Sequence, residues 1–358
     1  MRNDFTSIPQ VDHGGNIKKA QAIFGCPDSE WLDLSTGISP WVYPVPSVPE
    51  TIWQNLPYDE ESLLNAAQEY YACSVDMITP VAGSQDAIQR IPDLLSTTQV
   101  AIPFAAYQEH RRAWQLAGHE VHYYHNYQEL MDLIAMHHYL HVVVINPNNP
   151  SAERWSIEQL IHIQQQLKQH CYLIVDEAFM DITPEQSLVS YISDTRAVEN
   201  VLILRSIGKF FGLAGLRLGF VLGQGAIIHR LREKLQPWAV SHPAIWLGSK
   251  VLLDIDWQQQ QLRAILQQSE NVMNLLTGFN NCKITSAGLF ITLCGDKALL
   301  AELYQKAGES GILFRYHALS EKKAWLRLGL PGENFQRLKL FFDSFDPTVS
   351  KLFFVASG

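Results

Sequence analysis

The residue with the clearest chemical potential is a lysine in the glycine-rich segment S-I-G-K-F-F-G-L-A-G-L-R-L-G, which runs from Ser206 to Gly219. Lys209 lies just past an apolar run, and the glycines in this segment let the backbone approach a ligand closely. A lysine amine can join covalently to an aldehyde. The segment is not a P-loop, because Phe210 follows the lysine, and the spacing of a dinucleotide fingerprint is absent. Taken alone, it could equally be a turn with a solvated lysine.

Polar residues also follow other apolar runs. Asp176 opens D-E-A-F at the end of one run, and a buried aspartate is costly without a partner. Asn149 lies in N-P-N-N-P, although Asn-Pro pairs also form ordinary turns. The loop Gly83–Gln85 precedes a helical stretch, whose first N–H groups can bind phosphate, and Tyr107 ends P-F-A-A-Y. Each of these motifs alone is also compatible with a purely structural role.

The elements that position these residues are predicted from continuous apolar runs. Such runs are typical of strands buried on both faces. The predicted strands are residues 100–104, 141–146, 171–179, 200–206 and 218–223, and residues 157–170 are predicted as a crossover helix. This alternation predicts an α/β fold with a mostly parallel central sheet. Ligands of such sheets bind at the carboxyl ends of the strands, where the lysine and the aspartate stand.

The pattern changes after about residue 245, where a smaller α+β domain is predicted. A long Gln-rich helix is expected at residues 255–276, with short strands near residues 289–294 and 324–329. The predicted organisation is an N-terminal segment (1–44) that belongs to the small domain and the substrate site, a large domain (45–245) and a small C-terminal domain (246–358).

Composition narrows the possible functions. The chain has 27 Lys and Arg against 36 Asp and Glu, a net charge of −9, which argues against nucleic-acid binding but leaves room for a small phosphorylated substrate. Its five cysteines include no C-x-x-C pair, which fits a reducing cytosol better than a disulfide framework or a zinc site. The polar start lacks a signal region, and no apolar stretch reaches the roughly 20 residues of a membrane helix. We therefore expect a cytoplasmic protein without metal, nucleic acid or membrane partners.

In order and spacing, these motifs resemble the class I and II aminotransferases, which have the class I (fold type I) architecture and use pyridoxal 5'-phosphate (PLP). The attachment motif of that family, S-x-x-K with an arginine eight residues after the lysine, is matched by Ser206, Lys209 and Arg217. The resemblance implies that Lys209 carries PLP covalently, and that Ser206 and Arg217 hold its phosphate.

The resemblance assigns the other motifs to the same cofactor. Asp176 pairs with the pyridine nitrogen, Asn149 with the phenolic oxygen, Tyr107 stacks on the ring, and Gly83–Gln85 cradles the phosphate. Phe179 stands where many aminotransferases have a tyrosine that donates to the phenolic oxygen, so that donor is missing here.

Two further matches concern the partner subunit and the substrate. Tyr58, in L-P-Y-D, resembles a tyrosine that reaches across a dimer interface to the neighbour's cofactor phosphate, which implies a homodimer with shared active sites. Arg327, in W-L-R-L-G, matches the arginine that grips the substrate α-carboxylate. The alternative for Arg327 is an exposed strand residue.

A narrower likeness is to the threonine-phosphate decarboxylase branch of cobalamin biosynthesis, which is related to histidinol-phosphate aminotransferase. It is carried by stretches such as H-G-G-N at residues 13–16, D-E-A-F-M-D at 176–181 and P-W-A-V-S at 237–241. A phenylalanine at the position of Phe179 is typical of this branch, so it supports the likeness. Ser39 departs from it, because relatives more often have asparagine there, and we expect that position to bear on substrate identity.

The implied reaction is PLP-dependent decarboxylation of L-threonine O-3-phosphate to (R)-1-amino-2-propanol O-2-phosphate. An anchored substrate phosphate could hold the carboxylate out of the cofactor plane, and His13 and Arg315 are the candidate anchors. A histidine near a terminus is more often a surface residue, so that alternative stays open for His13. Lys209 is a candidate donor of the proton that replaces CO2.

Two other functions stay open. The first is an aminotransferase acting on a phosphorylated substrate such as histidinol phosphate, which would need an amino-group acceptor such as 2-oxoglutarate. The second is a non-enzymatic sensor of the same fold. Such sensors usually carry a DNA-binding module, and the sequence has no spare segment that is long or basic enough to form one.

Overall fold

The computed structural model describes residues 13–25, 27, 30–96, 98–195 and 198–345. Within this part of the chain, the contacts define two compact units. The first comprises residues 43–149 and 153–258, and the second comprises residues 13–42, 150–152 and 259–345.

The secondary-structure elements alternate along the chain. The α-helices are α1 (Ile17–Phe24), α2 (Glu50–Gln54), α3 (Glu61–Tyr71), α4 (Ser84–Leu94), α5 (Gln108–Leu116), α6 (Tyr127–Met136), α7 (Ile157–Gln166), α8 (Val189–Asp194), α9 (Ile207–Phe210), α10 (Ala226–Lys234), α11 (His242–Leu253), α12 (Ile255–Leu275), α13 (Lys297–Glu309) and α14 (Phe335–Ser344). The strands are β1 (Leu32–Asp33), β2 (Ile78–Val81), β3 (Gln99–Pro103), β4 (Glu120–Tyr124), β5 (Leu140–Ile145), β6 (Leu173–Asp176), β7 (Val201–Ser206), β8 (Gly219–Gly223), β9 (Lys283–Ser286), β10 (Phe290–Asp296), β11 (Ile312–Leu313), β12 (Arg315–Ala318) and β13 (Lys323–Gly329). None of the helices in the described ranges has both the length and the apolar composition needed to cross a membrane.

The first unit is built on one sheet with the strand order β2-β8-β7-β6-β5-β3-β4. The neighbours from β7 to β4 are parallel, whereas β8 runs antiparallel to both β7 and β2. The prediction of a mostly parallel sheet is therefore confirmed. Because the carboxyl ends of β5, β6 and β7 lie at the same edge, the residues that follow these strands are brought together there.

Burial on both faces of this sheet explains why its strands read as continuous apolar runs. Every residue of β5, β6 and β7 is buried, as expected for parallel strands covered by helices on both sides. Ile174, Leu202 and Leu204 belong to one apolar cluster with Ile88 of α4 and Trp114 of α5. Burying a large apolar side chain contributes about 1.5–3 kcal/mol, so this cluster fixes α4 and α5 against the strands.

The second unit contains an antiparallel sheet with the order β12-β13-β10-β9, and a short parallel pair of β1 and β11. Helix α13 packs on β13 and on α1. The predicted strands near residues 289–294 and 324–329 correspond to β10 and β13.

Two boundaries differ from those expected from the sequence. Helix α7 ends at Gln166 rather than at residue 170, since Leu167 already has an extended backbone. Its start is fixed by a capping box between Ser156 and Gln159. The first unit extends to residue 258 rather than 245, because α11 packs against α3 within that unit.

Candidate active site

Lys209 lies in α9, a single helical turn that follows β7 directly. Its side chain is half-buried, and Nζ lies 5.5 Å from the centre of the Phe179 ring. Phe179 comes shortly after β6, the strand next to β7. The amine therefore stands at the carboxyl edge of the sheet, against a ring that carries no hydroxyl.

Asp176, the last residue of β6, is 4% exposed and has protein partners for both carboxylate oxygens. Oδ2 lies 2.8 Å from Nε2 of His110, and Oδ1 accepts a hydrogen bond of 3.1 Å from the backbone N–H of Ala178. His110 is 1% exposed and was not predicted from the sequence. Its position in the first turn of α5, three residues after the N-cap residue Tyr107, is the signal that could have revealed it.

Gln85 reaches Tyr107 through its side chain. The Tyr107 hydroxyl donates to Oε1 of Gln85 at 3.0 Å, and Nε2 of Gln85 donates to the buried Glu109 at 3.0 Å. The Tyr107 ring also lies edge-on to His110, with 6.4 Å between ring centres. These contacts fix the orientation of the Tyr107 ring. Tyr107 is the residue predicted to stack on the planar ring of the cofactor.

Gly83 and Arg217 form a part of the site that suits an anion. Gly83 precedes α4 with a φ of +80°, and a Cβ at this position would lie 2.6 Å from a guanidinium nitrogen of Arg217. Arg217 has a φ of +55°, and its Nη1 donates to the backbone carbonyl of Ala214 at 3.3 Å. The guanidinium therefore lies beside the N-terminus of α4, and both groups attract phosphate.

Ser206 lies close to this anion site. It ends β7, is 8% exposed, and is the direct cross-strand partner of Gly219 in β8. A Cβ on Gly219 would lie 2.6 Å from the backbone nitrogen of Ser84, the first residue of α4. Glycine at this position allows β7, β8 and the start of α4 to approach closely.

Asn149 is half-buried in the turn that follows β5. Neighbouring asparagines fix this turn: Nδ2 of Asn148 donates to the carbonyl of Ala105 at 2.7 Å, and the side chain of Asn146 makes two 3.0 Å hydrogen bonds with the backbone of Trp155. The loop is thereby held against the segment that precedes Tyr107.

Tyr58 lies on the surface of the first unit. Its side chain is 81% exposed, and its ring is perpendicular to that of Trp238 with 5.8 Å between the centres.

In the second unit, Arg315 and Arg327 face each other directly on β12 and β13. Arg327 is 6% exposed, donates to the carbonyl of Ser35 at 2.5 Å and lies over the Phe290 ring at 5.1 Å. Burial and the neighbouring charge of Arg315 lower the pKa of Arg327 to about 10, although Asp33 opposes the shift. Like charges placed opposite each other are unfavourable, so this pair favours the binding of an anion.

His13 and Arg315, the two predicted phosphate anchors, line one cavity of about 90 Å³. Ser35, whose carbonyl binds Arg327, also lines it, as do Asn16 and Lys19. His13 is exposed and Arg315 is half-buried. The lining that the structure describes contains basic and hydroxyl groups but no carboxylate.

Ser39 is buried and is engaged in a network of its own. Its hydroxyl accepts a 2.6 Å hydrogen bond from Gln261 of α12 and also interacts with the backbone of Trp41. The hydroxyl of Ser39 therefore has protein partners and needs no ligand to satisfy its hydrogen bonding.

The chain is similar to known proteins over most of its length. The family model of aminotransferase class I and II matches residues 51–343. The chain is 36% identical over 329 residues to a threonine-phosphate decarboxylase from Pseudomonas aeruginosa, covering 90% of this chain and 94% of the relative. It is 25% identical over 301 residues to a histidinol-phosphate aminotransferase from Archaeoglobus fulgidus, covering 81% and 85%.

Among solved structures, the histidinol-phosphate aminotransferase from Sinorhizobium meliloti in complex with pyridoxal-5'-phosphate is similar, with a TM-score of 0.79 and 18% identity. The likeness covers 98% of both chains. At this identity it concerns the fold alone, and it confirms the class I α/β architecture predicted from the sequence.

Proposed function

The chain belongs to the aminotransferase class I and II family, and from this premise we propose that it decarboxylates L-threonine O-3-phosphate to (R)-1-amino-2-propanol O-2-phosphate, using PLP, in cobalamin biosynthesis. The 36% identity to a threonine-phosphate decarboxylase over most of both chains supports this choice. The structural observation that carries it is the opposed pair Arg315–Arg327, because the substrate has two anionic groups, a carboxylate and a phosphate.

The residues of the first unit fit PLP. When bound, PLP supplies an aldehyde that joins covalently to amines and a ring that withdraws electrons from the substrate α-carbon. Lys209 offers the amine, and the buried Asp176 offers an acceptor that holds a proton on the ring nitrogen. Gly83 and Arg217 offer the phosphate cradle, in the space that a Cβ would fill. Tyr107 offers an oriented ring for stacking.

Three further residues complete this cofactor site in the proposal. Ser206 and the backbone N–H of Ser84, which lie on either side of Gly219, add donors for the phosphate. Asn149, in its fixed turn, donates to the phenolic oxygen. Phe179 provides no second donor to that oxygen, so Asn149 acts there without help from residue 179.

Arg327 and Arg315 have separate tasks. The guanidinium of Arg327, oriented by Ser35, binds the α-carboxylate through two parallel hydrogen bonds. Arg315 and His13 bind the phosphate at the other end of the substrate. Attachment at two points restricts rotation about the bonds of the α-carbon, and restricted orientation is a large part of what a binding site contributes to rate.

Lys209 has a second role after CO2 leaves. The α-carbon then needs a proton, and Nζ of Lys209 holds one and delivers it. The half-buried position against Phe179 limits competition from water at this atom. In Lys209→Ala, we expect the yellow colour of the holoenzyme and its activity to be lost together, and a yellow, active variant would contradict both roles.

Tyr58 is proposed to act in a homodimer, where it reaches the cofactor phosphate of the partner. Its ring is 81% exposed, and Trp53 and Leu56 nearby in the chain are also exposed. Exposed aromatic and aliphatic side chains in one region are typical of a protein interface. Sedimentation should show a dimer, whereas a fully active monomer would contradict this role.

We place the enzyme in the cytoplasm, as its cysteine content predicts.

One assay tests the reaction. Purified holoenzyme is incubated with L-threonine O-3-phosphate in the absence of any keto acid, and CO2 release is followed. Steady release over many turnovers is the expected result. No CO2, together with turnover of histidinol phosphate once 2-oxoglutarate is added, would instead make the protein an aminotransferase, the activity carried by the relative from Archaeoglobus fulgidus.

A further inference from the structure

The cavity of the second unit contains a cation that the predicted anchor does not include. Lys19 lines the same cavity as His13 and Arg315. It lies in the first turn of α1, where its backbone N–H donates at 3.0 Å to the side chain of Asn16, the N-cap residue. The cap therefore fixes the backbone that carries Lys19 at the edge of the cavity.

Local structure alone does not favour lysine at this position. The first turn of a helix carries partial positive charge and prefers acidic side chains. Helix α1 has no acidic residue in its first turn and has Lys18 and Lys19 there instead. An anion in the cavity would reverse the effect, because the helix N-terminus and the ammonium group would then stabilise the same charge. Departures from local preference of this kind are expected at functional sites.

The charge of the cavity fits a phosphate monoester, which carries about −1.5 to −2 charges at pH 7. Arg315 supplies one positive charge and Lys19 a second, and no carboxylate lies in the described lining. Tyr304 and Tyr316, stacked with 5.6 Å between ring centres, form an aromatic wall of the same cavity. The two rings place apolar surface beside the charged groups.

We propose that Lys19 is a specificity-determining residue, which binds the substrate phosphate together with Arg315 and His13 and selects phosphorylated over unphosphorylated amino acids. The guanidinium, the ammonium and the imidazole supply donors for the phosphate oxygens. The identity of the substrate rests on the proposed function, whereas the affinity of Lys19 for phosphate can be measured separately.

The test compares Lys19→Met with Lys18→Met, which removes the same charge from the neighbouring position that does not line the cavity. In holoenzyme, Lys19→Met should raise KM for L-threonine O-3-phosphate by about 10- to 100-fold, the usual effect of losing a hydrogen bond between charged groups. The kcat should fall by a smaller factor than KM rises, since Arg315 and His13 still attach the phosphate end of the substrate. The Kd of inorganic phosphate, measured by calorimetry, should rise by a similar factor. Lys18→Met should match the parent, and Lys19→Arg should keep most of the affinity.

The outcomes separate the two proposals. Equal phosphate affinity in Lys19→Met and Lys18→Met would overturn the role of Lys19, whether or not CO2 is released. Phosphate binding that depends on Lys19, in an enzyme that releases no CO2 from threonine phosphate, would support the phosphate site and reject the reaction.

Discussion

Nε2 of His110 lies 2.8 Å from Oδ2 of Asp176, and both side chains are more than nine-tenths buried. The other carboxylate oxygen is held by the backbone N–H of Ala178. A buried carboxylate without such partners would be costly and free to change rotamer. His110 is therefore a positioning residue, which keeps Asp176 in one orientation at the carboxyl edge of the sheet.

The first prediction concerns this pair. Replacing His110 with phenylalanine removes the partner of Oδ2 and should lower kcat by about 10- to 100-fold, as expected for the loss of a hydrogen bond to a charged group. KM should change little, because the proposed ligands of the substrate carboxylate and phosphate are other residues, Arg327 and Arg315. His110→Gln keeps a donor and should recover part of the activity. The pH dependence of the cofactor absorbance should shift in His110→Phe, and an unchanged spectrum with unchanged kcat would contradict the role.

The second prediction concerns the phosphate cradle. Gly83 has a φ of +80° with an extended ψ, a conformation that is essentially confined to glycine, and a Cβ there would displace the guanidinium of Arg217. Gly83→Ala should therefore raise the Kd of PLP at least about tenfold, measured by titrating apoenzyme and following absorbance. Gly215→Ala is the matched control, since a Cβ at that exposed position meets no atom within 4 Å. Similar PLP affinity in the two variants would show that the cradle does not hold the cofactor.

The sequence predicted those parts of the fold whose burial shapes the local pattern. Strands β5, β6 and β7 are buried on both faces, so their apolar runs were visible without any tertiary knowledge. Strand β4, at the edge of the sheet, has a mixed exposure pattern and was not predicted, and β1 has two residues and exists only through its pairing with β11.

The same distinction applies to the candidate site. Lys209, Asp176 and Gly83 stand out because glycines, or the end of an apolar run, mark them in the sequence. His110 lies in the first turn of an amphipathic helix, and only its spacing from Tyr107 marks it in the sequence, because its contact with Asp176 is visible in the structure alone. The opposition of Arg315 and Arg327 depends on the register of β12 and β13, which pairing along the whole sheet determines.

The third prediction concerns the buried charges behind the carboxyl edge. Arg205 donates to Glu177 at 3.0 Å and to Ser187 at 3.2 Å, and it also binds Asp181. Arg205, Glu177 and Asp181 are all at most 6% exposed. Burial raises the pKa of Glu177, and the charge of Arg205 opposes this shift.

Arg205→Met would leave two buried carboxyl groups without their cation, which should reduce the free energy of unfolding by about 3–5 kcal/mol. Urea unfolding of the holoenzyme measures the loss. Arg263→Met, at an exposed position of α12, should stay within about 0.5 kcal/mol of the parent. If the free energy of unfolding of Arg205→Met falls by less than about 1 kcal/mol, this network contributes little to the stability of the protein.

The last prediction is a dependence of stability on pH that arises from His141. Its ring is 1% exposed, Nδ1 accepts a 3.1 Å hydrogen bond from the backbone N–H of Tyr172, and Nε2 lies 3.4 Å from the carbonyl of Ser96. Burial and, to a lesser extent, the neighbouring His119 lower the pKa of His141 to about 4, although the hydrogen bond to Ser96 opposes the shift. Protonation of the ring would place the second proton on Nδ1, where it would repel the N–H of Tyr172.

The unfolded chain, with a histidine pKa of about 6.5, binds a proton that the folded protein does not bind between about pH 6.5 and pH 4. The contribution of His141 to the free energy of unfolding is therefore complete above pH 6.5. It decreases by about 3 kcal/mol in total as the pH falls towards 4. Urea unfolding across this range should show a shallower fall in His141→Gln than in the parent protein, because its side chain does not titrate. His138→Gln, at an exposed histidine, should keep the steep fall. Parallel curves for His141→Gln and the parent would mean that other groups cause the acid sensitivity.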